Sequence, residues 1–437
     1  MRIGLIAMSG VRAQNPELLA LGLTLPGFVD RGKVIASLPS LGLLTLAGLT
    51  PPDVDVRYLE VPDVDLLDEP PGGFDIVAIS SFTAQIKQAY RLADQYRRLG
   101  VTVVLGGLHV SALPDEAARH ADAIVIGEGE LAWPLVMEDL AHNRLRARYD
   151  MRGRSFDLAD APMPRFELLD IDRYNRLTVQ TQRGCPFRCE FCAASMRISP
   201  RYKTKPVAKV IAEIRRIKEL WKQPFIELAD DNTFVNKAHA KRLVRALAAE
   251  HIKWFTESDI AVADDDELLA MLADSGCAQI LIGLESPLPE ALDGVEQRSN
   301  WKRKRADRYL RAIDRIQSHG ITVNGCFVLG LDNSGPESFD AVRRFVRESG
   351  LYEVQITVQT AFPGTPLYDR LRNEGRLLRE DAWEACSLFD VNFVPARMTV
   401  AELESGFREL GQALYSAEAT RERRRGFFHR RRLAAAG

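Results

Sequence analysis

Residues 181–195 read T-Q-R-G-C-P-F-R-C-E-F-C-A-A-S and set Cys185, Cys189 and Cys192 in a C-x3-C-x2-C array. Three thiolates on one short loop can hold three corners of a cubane iron–sulfur cluster, whereas four would close it. The corner left without a thiolate is open to an exogenous chelator. A zinc site short of one ligand, or three unrelated buried thiols, would use the same residues. Zinc motifs, however, usually bring a second Cys or Cys/His pair downstream, and Cys277, Cys326 and Cys386 stand alone and far apart. The same isolation predicts no second cluster. Aromatic Phe191 just before the last cysteine, and the strand-like run at 177–179 just before the loop, agree with the cluster reading.

Upstream, short apolar runs at 3–8, 54–61, 74–80, 101–105 and 123–126 alternate with helical stretches at 41–49, 84–99 and 131–141. That βαβ rhythm predicts a doubly wound, mainly parallel sheet whose ligands sit beyond the carboxyl ends of its strands. The turns at those ends carry Ser80, Ser81, Gly106, Gly107, His109, Gly127 and Glu128. Any such sheet also needs glycines where strands turn into helices, and a lone histidine is commonly a plain loop residue. From 144 to 174 the periodicity lapses, and Pro162 and Pro164 disfavour helix before them, so this stretch reads as a linker with a solvated arginine face.

Downstream the alternation resumes. Helices are expected at 206–220, 238–249, 265–275 and 307–319, and strands at 225–229, 254–257, 279–284, 321–331 and 354–360. This is the span of a partial (β/α) barrel, with its chemistry at the strand ends, where Asp230, Asp231, Glu257, Glu285, Ser286, Gly330 and Gln359 fall. The Asp-Asp-Asn turn at 230–232 would equally cap a helix, and Glu285-Ser286-Pro287 would equally end a strand. Residues 383–395 and a further helix at 400–415 are expected to form a small C-terminal region that closes over the barrel mouth. The run R-E-R-R-R-G-F-F-H-R-R-R at 421–432 reads as a frayed, solvated tail, with docking on anionic lipid as the other use of such a mix.

The cysteine loop, the glycine turns and the segment F-P-G-T-P-L-Y at 362–368 resemble the radical S-adenosylmethionine (radical SAM) superfamily, in the subgroup with an N-terminal cobalamin (B12)-binding domain, similar to class B methyltransferases. The resemblance extends to about Leu378. It implies an α/β chain: a doubly wound, Rossmann-like cobalamin-type domain at 1–143, a linker at 144–174, a partial (β/α)6 radical SAM barrel at 175–370, and a C-terminal helical region with a basic tail at 371–437. It also implies a [4Fe–4S] cluster on Cys185, Cys189 and Cys192, whose open iron takes the amino and carboxylate groups of S-adenosyl-L-methionine (SAM). Reduction then cleaves SAM to methionine and a 5′-deoxyadenosyl radical. Phe191, Asp230, Asp231, Glu285, Ser286 and Gly330 fall to SAM, and Ser80, Ser81, Gly106, Gly107, His109, Gly127 and Glu128 to cobalamin.

Two departures from the family pattern matter. The usual Gly-Gly-Glu after the second barrel strand is replaced by Asp230-Asp231, and the early loop at 8–14 lacks the Asp-x-His-x-x-Gly segment that supplies a lower cobalt ligand elsewhere. The implied function is cobalamin-dependent methylation of an unactivated carbon in a small metabolite or lipid-like intermediate, with flavodoxin or ferredoxin as electron donor. Radical cyclisation, rearrangement or oxidation without methyl transfer is the second reading, and a non-catalytic regulatory protein the third.

Composition excludes some classes. Lys plus Arg (58) nearly balances Asp plus Glu (60), for a net charge of −2, which argues against a general nucleic-acid binder. The first residues enter a strand-like run without the pattern of a secretory signal, and no apolar run is long enough to span a bilayer. Six cysteines in 437 residues, three of them clustered, are no disulfide framework; a reducing cytoplasm is the expected location.

Overall fold

In the first sheet the apolar runs alternate between two faces, and each face has its own helices. The strands are β1 (Arg2–Met8), β2 (Asp55–Val61), β3 (Ile76–Ser80), β4 (Thr102–Gly106), β5 (Ala123–Ile126) and β6 (Arg148–Asp150). All pair in parallel, in the order β2-β1-β3-β4-β5-β6. Between them run α1 (Pro16–Ala20), α2 (Leu41–Leu49), α3 (Ile86–Arg98), α4 (Leu108–Ala112), α5 (Pro114–Ala117) and α6 (Gly129–Ala141). Ile76 and Ala78 share a core with Leu43 and Ala47 of α2 and with Trp133 and Val136 of α6. Val77 and Ile79 point the other way, toward Ile86, Ala89, Ala93 and Tyr96, which form one stripe of α3. The sheet is therefore wound on both sides. Its order reverses between β1 and β3. This computed structural model describes residues 1–11, 13–20, 38–193, 199 and 201–436. Arg12 of the early loop, and Ala194 and Ser195 of the cysteine stretch, lie outside the described residues.

The second sheet is simpler. Strands β7 (Leu177–Val179), β10 (Phe225–Leu228), β11 (Lys253–Ser258), β12 (Cys277–Glu285), β13 (Thr322–Leu329) and β14 (Glu353–Val358) lie side by side in sequence order, all parallel. A two-residue antiparallel pair, β8 (Gln182–Arg183) with β9 (Lys203–Thr204), closes the base of the cysteine loop. Helices α7 (Val207–Leu220), α8 (Lys237–Ala248), α9 (Asp266–Asp274), α10 (Tyr309–Ser318), α11 (Glu337–Ser349) and α12 (Pro366–Asn373) follow the strands. The first of these helices after an acidic strand end, α8, is capped by Asn236 and not by the Asp230–Asn232 turn, which leaves that turn to the site.

Three expectations need correction. The stretch read as a linker contains β6: Tyr149 is 1% exposed and its hydroxyl donates to Asp139 at 2.8 Å, so a strand with one inward residue between exposed neighbours hides from periodicity. Helix α13 (Val400–Tyr415) does not cover the barrel mouth. It packs on the outside, Leu403 against Gly330 and Gly406 against Phe339. Of the expected cover, segment 383–390 does reach the barrel cavity, through Leu388, and it bridges the first domain and the barrel edge: Trp383 Nε1 donates to Glu116 at 3.1 Å, Lys87 pairs with Glu384 at 2.9 Å, and the Val358 amide donates to Leu388 at 2.7 Å. The basic tail, finally, is a helix, α14 (Ala417–Ala436), docked through buried Phe427 and through Arg424, which lies 3.1 Å from buried Glu353. Its exposed face carries Arg421, Arg425, Phe428 and Arg432. No helix among the described residues is long and apolar enough to cross a membrane.

Candidate functional site

The chemistry-bearing residues gather around two adjoining spaces. The larger, about 680 Å³, opens at the carboxyl ends of the barrel strands and is lined by Cys185, Cys189, Cys192, Phe191, Asp230, Asp231 and Glu285. The smaller lies at the carboxyl ends of β3, β4 and β5, lined by Ser80, Gly106, Gly107, Gly127 and Glu128 at the strand ends and by Leu43 and Leu46 of α2. Ala229 and Asp231 border both. Barrel residues Gln180 and Arg183 line the first-domain crevice, and first-domain Phe82 reaches the barrel cavity.

The cysteine loop is held from three sides. At its entry, the Asp230 carboxylate accepts the Thr181 amide at 2.7 Å, the Gln182 amide at 3.0 Å and the Thr233 hydroxyl at 3.0 Å, along with the Thr181 hydroxyl. Burial nevertheless pushes its carboxyl up to about 6, against these four donors. Asp231 accepts the Gly184 amide at 2.8 Å. Gly184 has φ +90°, and a Cβ there would meet the Arg201 carbonyl at 2.7 Å, so this turn requires glycine. Behind the loop, Glu296 accepts the amides of Arg188, Arg298 and Ser299 at 3.1, 3.0 and 2.8 Å and the Ser299 hydroxyl at 2.8 Å. Burial opposes ionisation there, but these bonds outweigh it and draw the carboxyl down to about 2. On the third side Arg370 grips Glu190 at 2.9 Å and Asp332 at 2.6 Å.

The three thiols face one cavity, and burial pushes Cys185 up to about 11 and Cys189 up to about 12. Bound iron would reverse that preference, since a coordinating thiol loses its proton outright. Among the described residues no three Cys, His, Asp or Glu side chains gather about a single ion, whereas a cubane presents a separate iron to each thiolate. The donor set fits a cluster. Beside it, β12 shifts register between Gly283 and Glu285, and Glu285 takes φ +62°. That left-handed kink aims its carboxylate at Lys302, 2.7 Å away. Burial alone would favour neutral Lys302, but Glu285 and then Cys189 hold its pKa above the ordinary lysine range. Deeper in, Gln359 is 1% exposed and neither polar atom of its amide has a hydrogen-bond partner among the described residues, as expected of a side chain that waits for a ligand. Glu257 lines the same cavity and is exposed. Burial within the barrel, then the charges of Glu227, Asp231 and Asp230, push its carboxyl up to about 8.

The crevice, about 300 Å³, has glycine-walled strand ends and an apolar side of Ala78, Val104, Val125 and Trp133, against which a flat group can lie. Gly107 takes φ +108°, which favours glycine, and a Cβ there would stand a tight 3.2 Å from the Ser80 hydroxyl.

Four sequence-predicted residues line neither space. Ser81 donates to the Phe82 carbonyl, Ser286 accepts the Leu288 amide, and Gly330 packs under Leu403. His109 is wholly buried, 3.2 Å from Glu116 and edge-on to Trp383, so it is walled off from the crevice. Sequence reading missed Arg183, Lys203, Glu130, Glu296 and Lys302. Their only signal is charge within ordinary polar runs, and the pairing that gives them meaning is long-range.

Comparison with known proteins bears on this geometry. Residues 179–346 match the radical SAM superfamily, residues 29–136 the B12 binding domain, and residues 365–436 a domain of unknown function. Bacteriochlorophyllide d C-8(2)-methyltransferase of Chlorobaculum tepidum is 30% identical over 358 residues, 79% of this chain and 78% of that one. Hopanoid C-2 methylase of Rhodopseudomonas palustris is 27% identical over 361 residues, 80% and 68% of the two chains. The solved radical SAM methyltransferase TsrM of Kitasatospora setae, with cobalamin and a [4Fe–4S] cluster bound, covers 99% of each chain at a TM-score of 0.67 and 15% identity, a likeness of fold.

Proposed function

Because the chain belongs to the branch of the radical SAM superfamily that carries a B12-binding domain, we propose that it methylates an unactivated carbon of a small metabolite or lipid-like molecule. Its cofactors are SAM, a [4Fe–4S] cluster and cobalamin. When bound, the cluster and SAM supply a 5′-deoxyadenosyl radical and cobalamin supplies the methyl group; the protein supplies placement and shelter.

The residues divide that work. Cys185, Cys189 and Cys192 hold the cluster, and Lys302, kept charged by Glu285, stands beside Cys189. Asp231, Glu285 and the Gln359 amide offer polar contacts to SAM, and Phe187, Phe191 and Trp301 make an apolar wall that keeps water from a radical. Ser80, Gly106, Gly107 and Gly127 hold cobalamin at the carboxyl ends of β3, β4 and β5. The carrying observation is the shared border at Ala229 and Asp231, which sets crevice and barrel cavity side by side. A low-potential one-electron donor, flavodoxin or ferredoxin, would reduce the cluster. Lipid-like substrates are in keeping with the hopanoid and bacteriochlorophyllide relatives.

The test is anaerobic incubation with methyl-deuterated SAM, reductant and cobalamin against small-molecule and lipid extracts. A product carrying the intact labelled methyl is expected. Deoxyadenosine formed alongside a product that has lost hydrogen and gained no label would contradict methylation and point to cyclisation or oxidation.

A further inference from the structure

The pairing that closes the cysteine loop also joins the two domains. Because β8 and β9 are antiparallel partners, Arg183 and Lys203 stand side by side, and both reach across to Glu128 in the turn after β5. Arg183 meets Glu128 at 2.8 Å and Glu130 at 2.6 Å, and Gln180 accepts from the same guanidinium at 2.8 Å. Lys203 also donates to the Phe156 carbonyl at 2.7 Å, and the second Glu128 oxygen accepts the Phe156 amide at 2.7 Å. The four charged side chains are 17% (Arg183), 14% (Lys203), 1% (Glu128) and 10% (Glu130) exposed, two cations against two anions. Burial opposes charge on Arg183 and on Glu130, yet the pairing outweighs it, raising the one pKa and lowering the other.

Buried ion pairs are poor stabilisers, since desolvation offsets much of the attraction, and their best-attested use is to fix register. The location here suits that use. Arg183 lies two residues before Cys185, Glu128 directly follows Gly127 of the crevice wall, and Arg183, Glu128 and Glu130 all line the crevice. We propose that Arg183 is a positioning residue, whose two-armed grip on Glu128 and Glu130 sets the crevice at one distance and orientation from the cysteine loop. The inference rests on the reading that the crevice holds cobalamin.

The experiment measures how far the reduced cluster accelerates spin relaxation of bound cob(II)alamin in the reconstituted full chain, a readout that needs no substrate. R183M strands Glu130, so R183M/E130Q removes both partners and leaves Glu128 to Lys203. R183K keeps the charge without the planar fork. Wild type should show one well-defined relaxation enhancement, R183M/E130Q a weakened and broadened one, and R183K a value between them. With any convertible substrate, deoxyadenosine formed per methyl transferred should rise several-fold in the double variant. An R183M/E130Q chain with cluster, cobalamin and the wild-type enhancement would overturn the proposal. Loss of cobalamin with the cluster retained would make Arg183 a binding residue and overturn its positioning role. A wild-type chain that takes up no cobalamin would overturn the crevice reading and this inference with it.

Discussion

Glu257 carries the clearest pH signature. Its folded-state carboxyl titrates near 8 against an ordinary 4.5, so the native chain holds a proton that the unfolded chain has released. The cost to folding is absent below about pH 4.5, grows as pH rises, and is complete above about pH 8. Glu257→Gln removes the titrating group; its urea midpoint should match wild type in acid and exceed it increasingly up to about pH 8, and a constant difference across that range would refute the assignment. His109 carries a second test. Walled in by Glu116 and Trp383, it cannot reach the crevice without unpacking α4, so bound cob(II)alamin should show no triplet splitting from an axial histidine nitrogen in electron paramagnetic resonance. Splitting that disappears in His109→Ala would overturn this. At this scale legibility followed locality. The three cysteines announce themselves by spacing within eight residues, whereas Glu296, which braces that same loop, and Lys302, which pairs with Glu285 beside it, arrive from a connection more than a hundred residues downstream.

Helix α14 shows how an element can be hidden by composition. Its arginines suggest a solvated tail, yet Phe427 is 3% exposed and edge-on to Tyr352, while Phe428, next to it, is 48% exposed. Phe427→Ala should cost about 3 kcal/mol in chemical denaturation, as other buried aromatic truncations do, and Phe428→Ala at most about 0.5 kcal/mol. Equal small losses would mean that α14 is not docked. Strands of the barrel were legible because their apolar runs are continuous and bounded by polar ends, as in β14, buried throughout. The two-residue β8 and β9 and the three-residue β6 were not, since runs so short have no period and exist only through their partners.

Over the whole molecule, two parallel sheets present their carboxyl ends to a common border, tied by the Arg183 and Lys203 network on one side and by segment 383–390 on the other. The division into two α/β units could be read from alternating periods, but the way they face each other could not, because that depends on charge pairs between residues 53 to 75 positions apart. What the assembly must do first is make a radical, and the cysteine loop is where that starts. The most direct measurement is therefore 5′-deoxyadenosine formation by anaerobically reconstituted, chemically reduced protein, made alongside Cys185→Ala, Cys189→Ala and Cys192→Ala. Wild type should hold about four iron per chain and release 5′-deoxyadenosine, and each variant should release none. Release by all three variants, or none from a wild-type chain with its iron complete, would contradict the account.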